Sequence, residues 1–144
     1  MQWRQLGLFK GKRQKGTIKR PKERSLHIAF ADAVRVSLSP GWKFTHIPLG
    51  EYRTPETAGL LKRMGVSAGW PDFIFVGHAP VPVCKGIVAF IELKRPGERL
   101  SVVQDGVCQH LAQCGCYVLA TDDINDALGF LRDIGALRSM TVMA

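Results

Sequence analysis

"DFIFVGHAPVPVCKGIVAFIELK", residues 72–94, is the stretch whose reading decides the fold. Two runs rich in β-branched and aromatic residues, 72–76 and 87–94, flank a segment dense in Gly and Pro, 77–86. Apolar runs bounded in this way read as two strands joined in a hairpin. The second strand ends unusually. Side chains two apart on a strand point the same way, so Glu92 and Lys94 continue the face begun by Val88 and Phe90. An opposite-charge pair therefore stands at the end of an apolar face. A hairpin would bring Asp72, which opens the first strand, to that same end of the sheet.

The flanking segments supply the other layers. Leu26, Phe30, Ala33 and Ser37 recur at helical spacing and predict a helix over 21–38. Pro21 suits its first turn, Glu23 lies near the positive end of its dipole, and Pro40–Gly41 stops it. "WKFTHIP" (42–48) alternates like a strand, with His46 a half-buried strand residue. Thr54 and Pro55 make an N-cap and N1 pair for a short helix through Met64. Ser101 and Gln104 form an S-x-x-Q capping box for a helix that carries Val103, Val107, Leu111 and Cys114 and ends at Gly115. "CYVLA" (116–120) is wholly apolar and suits a strand buried on both faces. Thr121 is read as the cap of a last helix that stops at Gly135, and the tail from Leu137 as an edge strand. The predicted class is α/β, a mixed sheet with helices on its faces.

A chain of 144 residues holds one domain with a real core. With 46% hydrophobic and 22% charged residues it has an ordinary soluble composition. No apolar run reaches the roughly 18–20 residues that span a membrane, and the basic N-terminus has no apolar segment of the secretory kind behind it. The expected location is cytoplasmic. Nine of the 20 basic residues but one of the 12 acids fall within residues 1–24, so this segment carries the whole net charge of +8. Such an arm is either a solvated tail or an attachment to a polyanion, since each phosphate contact releases counterions. The four cysteines, Cys84, Cys108, Cys114 and Cys116, lack zinc-site spacing and read as reduced, mostly buried thiols.

Two carboxylates converging at one sheet end are unfavourable unless a cation or a proton lies between them. Hard oxygen ligands suit Mg²⁺, with Mn²⁺ able to substitute. Lys94 beside Asp72 and Glu92 could orient or deprotonate an attacking water, or neutralise charge building on a scissile phosphate. Each residue also has a plainer reading. Asp72 could turn the chain after Pro71, Glu92 and Lys94 could be a structural ion pair, and Gln104 could only cap its helix.

Taken together, "GVSAGWPD" (Gly65–Asp72), "ELK" (Glu92–Lys94) and "LSVVQ" (Leu100–Gln104) occur in an order that resembles the VRR-NUC (virus-type replication–repair nuclease) branch of the PD-(D/E)xK nuclease superfamily. The resemblance spans residues 22–135; one departure is Leu49, where the family often has Asn. It implies a restriction-endonuclease-like sheet, with an arm over 1–20 and a nuclease domain over 21–144. It implies Asp72 and Glu92 as metal ligands, the backbone carbonyl of Leu93 as a further ligand, Lys94 as the catalytic lysine and Gln104 as the glutamine that supports the site. The family's acidic residue on the first helix is matched by Glu23, which shares a stripe with Leu26, His27 and Phe30 and is expected to face inward. The implied activity is Mg²⁺-dependent DNA endonuclease, structure-specific like a Holliday-junction resolvase. The enzyme would act as a homodimer in replication or repair within a bacterial or phage-infected cell, with no nucleotide cofactor and no membrane partner. Lys19, Arg20, Lys22, Lys62, Arg63 and Arg95 are the expected phosphate contacts. The alternatives are a non-catalytic DNA-binding module on the same fold, and a nuclease subunit that needs a helicase or recognition partner.

Overall fold

A computed structural model describes residues 22–49, 53–78 and 85–139. The elements run α1 (Glu23–Ser37), β1 (Lys43–His46), α2 (Pro55–Arg63), β2 (Phe73–His78), β3 (Gly86–Leu93), α3 (Val102–Gln113), β4 (Tyr117–Thr121) and α4 (Ile124–Asp133). The hairpin is present, with β2 and β3 antiparallel, Phe73 opposite Ile91 and His78 opposite Gly86. β1 pairs antiparallel with β2, placing His46 opposite Phe73. β4 pairs parallel with β3. A parallel neighbour needs a crossover connection, and α3 supplies it. The result is a mixed four-stranded sheet in the order β1-β2-β3-β4.

Strand alternation sends side chains to two apolar layers. Phe73, Phe75, Ala89, Ile91, Leu93 and Leu119 pack with Phe30, Ala31 and Val34 of α1 and Ala127 and Leu131 of α4. On the opposite face, Phe90 and Val118 pack with Cys108 and Leu111 of α3. This explains the unbroken apolar run of β4: Val118 faces one layer and Leu119 the other.

Several sequence expectations need correction. Thr121 does not cap α4: it ends β4, and its Oγ1 accepts the Asp123 N–H at 3.1 Å. Asp123 is the cap, accepting from the Asn125 N–H. The first strand is shorter than 42–48, covering Lys43–His46, and Trp42 just ahead of it is buried in the core, 6% exposed. Of the tail, Leu137 makes an isolated antiparallel bridge with Leu38, and residues 140–144 lie outside the described residues. The expected first-turn position of Pro21 lies outside them too.

β2 runs on through Gly77, which the sequence had assigned to the turn. A Cβ at Gly77 would sit 2.2 Å from Cδ2 of Trp42, so only glycine fits beneath the indole. Gly77→Ala is expected to cost about 1–3 kcal/mol through overpacking. Gly106→Ala, on α3 with nothing within 4 Å of the added carbon, should gain about 0.5–1 kcal/mol. Urea unfolding of both variants checks this.

Candidate functional site

The hairpin register sets the site. With Phe73 opposite Ile91, one further step brings Asp72 and Glu92 abreast at the sheet's end. Asp72 ties both neighbouring strands there. Its Oδ2 accepts the Leu93 N–H at 2.9 Å, and its backbone carbonyl accepts the Ile47 N–H at 2.6 Å.

Glu92, Lys94 and Gln104 close a ring. Oε1 of Glu92 meets Lys94 Nζ at 2.9 Å and accepts from Gln104 Nε2 at 2.8 Å. Gln104 Oε1 accepts from Lys94 Nζ at 2.8 Å and from the Ser101 N–H at 3.0 Å, while Ser101 Oγ accepts the Gln104 N–H. The capping box that starts α3 therefore also aims Gln104 at Glu92 and Lys94. One side chain carries both roles.

Glu92 is 2% exposed, and its second oxygen, Oε2, is buried with no hydrogen-bond partner among the described residues. Leaving a buried polar atom unpaired costs roughly 1–3 kcal/mol, more for a charged one. Burial, joined by the Asp72 charge, pushes the Glu92 carboxyl up to about 7 despite the opposing pull of Lys94. A carboxylate with one oxygen unpartnered, beside a second carboxylate, is a donor set that a divalent cation would complete.

The other wall is imidazole. His27 Nε2 lies 3.3 Å from Asp72 Oδ2, within ion-pair reach when the ring is protonated. Burial disfavours the charged ring, but Asp72, Glu23 and Glu92 outweigh it and raise the His27 pKa. The His27 and His46 rings are 4.9 Å apart. Ligand atoms of His27, His46 and Asp72 all lie within 4.8 Å of one another, so these three residues could also hold a metal ion.

The structure thus brings Asp72, Glu92, Leu93, Lys94 and Gln104 together, and sets His27 and His46 beside them. Glu23 does not face inward as expected. It is exposed, and the α1 residue that reaches Asp72 is His27, one turn on. The signal for His27 was its place on the stripe with Phe30. For His46 it was strand parity with Phe44, which becomes informative only once β1 is known to flank β2.

Among the basic residues, Lys22 is exposed where α1 begins, and Lys62 and Arg63 are exposed in the last turn of α2, which buries no residue. Arg95 is half-buried and paired with Glu98. Lys19 and Arg20 lie outside the described residues. The expectation of mostly buried thiols fails at Cys114, which is exposed with Sγ 3.6 Å from His110 Nε2; Cys108 is buried, Cys116 half-buried, and Cys84 outside the described residues.

No protein-family model matches the sequence, and no curated protein matches it. The fold is nonetheless similar to that of a solved structure described as a VRR_NUC domain protein. The TM-score is 0.59 at 20% sequence identity, covering 85% of this chain and 100% of the other. Among the described residues, no helix is long and apolar enough to cross a membrane.

Proposed function

We propose that the chain is a divalent-metal-dependent DNA endonuclease of the VRR-NUC kind. The observation that carries this reading is Glu92, a carboxylate 2% exposed, with one oxygen held by Lys94 and Gln104 and the other without a hydrogen-bond partner among the described residues. A purely structural ion pair has no use for that second oxygen. The fold shared with a VRR_NUC domain protein supports the same reading.

Asp72, Glu92 and the Leu93 carbonyl would hold Mg²⁺ or Mn²⁺, and His27 rather than Glu23 supports Asp72 from α1. When bound, the ion supplies charge stabilisation at the scissile phosphate and lowers the pKa of the attacking water. Lys94 has three N–H donors, two of which are directed to Glu92 and Gln104. The third can orient the water or donate to a phosphate oxygen as charge builds there. Gln104 holds the ammonium in place, which makes it a positioning residue. Lys22, Lys62 and Arg63, together with Lys19 and Arg20 of the arm, neutralise backbone phosphates; Arg95 would join them by exchanging Glu98 for a phosphate. A homodimer would place two such sites on two strands of branched DNA, as junction resolution requires.

The test is cleavage of four-way junction, flap and linear duplex DNA with Mg²⁺, using Asp72→Ala as the control. Cleavage by the wild type alone, fastest on the junction, is the expected result. Equal cleavage by the variant, or none of any substrate by the wild type, would sink the reading.

A further inference from the structure

We propose that His27, His46 and Asp72 form a second cation subsite, selective for a first-row transition ion such as Mn²⁺, Co²⁺ or Zn²⁺. It adjoins the oxygen-ligand position of Asp72 and Glu92 and shares Asp72 with it. The proposal rests on the nuclease reading for its place beside the substrate, and on its own donor atoms for its chemistry.

Three elements build this subsite. His27 comes from α1, His46 from the end of β1, and Asp72 from the entry to β2. Phe73, 1% exposed, fixes both rings: its centroid is 5.5 Å from His27, edge-on, and 5.0 Å from His46. His27 Nε2 is a buried nitrogen that makes no well-formed hydrogen bond among the described residues and lies 3.3 Å from a carboxylate oxygen. With the ring neutral, this sets two ligand atoms side by side where a shared ion can replace the proton between them.

Distances permit it. Ligand bonds of about 2.0–2.2 Å at tetrahedral angles set two ligands of one ion roughly 3.3–3.6 Å apart, and His27 Nε2 and Asp72 Oδ2 at 3.3 Å already meet that spacing. The three ligand atoms lie within 4.8 Å of one another, so the His46 ring would move inward to complete the set. Donor chemistry then separates the two positions. Imidazole nitrogens suit Zn²⁺, Co²⁺ and neighbouring ions, whereas Mg²⁺ keeps to oxygen. Asp72 with Glu92 offers the hard position, and Asp72 with the histidines the softer one. Three protein ligands leave open coordination positions for water or a phosphate oxygen.

The experiment uses the full chain stripped by chelator, titrated with Co²⁺ and read by its visible absorption. Thermal shifts with Mn²⁺, Zn²⁺ and Mg²⁺ are measured in parallel. Transition ions should bind at least about tenfold more tightly than Mg²⁺. His27→Gln and His46→Gln should each weaken Co²⁺ binding by about tenfold or more, and His46→Gln should leave the Mg²⁺ shift within about twofold. Glu92→Gln should do the reverse. If one histidine variant fails to fold, the other decides. Unchanged Co²⁺ binding in a folded histidine variant, or equal loss of Co²⁺ and Mg²⁺ in His46→Gln, would overturn the subsite. Co²⁺ binding that depends on the histidines, in a protein that cuts no DNA with any ion, would instead overturn the nuclease reading and leave the subsite standing.

Discussion

Lys94→Ala is expected to slow DNA cleavage by about 10²–10⁴-fold, the range associated with a positioned proton-transfer or charge-stabilising group. The wild-type ammonium is held by two acceptors, Glu92 Oε1 and Gln104 Oε1, so it waits in one place rather than being recruited by the substrate. Gel-shift affinity for duplex DNA in Ca²⁺ should stay within a few-fold, because one cation among many backbone contacts contributes little to binding. Gln104→Ala should cost less, since it removes the positioning bond and leaves the charge. If Lys94→Ala lost affinity and rate equally, Lys94 would be a phosphate contact and nothing more.

Glu92→Gln should abolish Mg²⁺-dependent cleavage and yet stabilise the metal-free protein at pH 8. The carboxyl is pushed up to about 7 by burial and by Asp72, against an ordinary 4.5. Between those values the folded state binds more protons than the unfolded one, so stability falls as pH rises through that window. At about 1.4 kcal/mol per pKa unit, the wild type without metal should be weaker at pH 8 than at pH 5 by up to about 3 kcal/mol. His27 acts in the same direction. Its raised pKa gives stability that is complete below 6.5 and lost as pH rises through the folded value. The substituted amide keeps an acceptor for Lys94 and Gln104 and carries no charge, so the variant should be more stable by about 1–3 kcal/mol at pH 8 and nearly equal to wild type at pH 5. Denaturant unfolding at both pH values measures this. A non-catalytic module with a structural Glu92–Lys94 pair predicts the opposite sign, a variant that loses stability and no activity.

The part of this site that is local in sequence was legible there. The meeting of Asp72 and Glu92 at one sheet end follows from two strands and a Gly/Pro turn, and the Ser101–Gln104 box follows from four consecutive residues. What was missed depends on longer-range placement. His27 and His46 meet only because β1 lies antiparallel on the outer side of β2, with His46 opposite Phe73. Counting from Leu26 and Phe30 points Glu23 inward, yet it is exposed. The buried stripe of α1 is Phe30, Ala31 and Val34, which leaves His27 as the polar residue nearest the sheet end. The cap of α4 moved from Thr121 to Asp123 because the buried end of β4 claimed Thr121 for the ladder with Leu93.

The most direct measurement is cleavage of end-labelled DNA by the wild type and by Asp72→Asn, each in Mg²⁺ and in EDTA. Nicked or cut product from the wild type in Mg²⁺ alone, with Asp72→Asn inert but still bound to the DNA, is the predicted result. Product that persists in EDTA, or that Asp72→Asn makes at the wild-type rate, would contradict it.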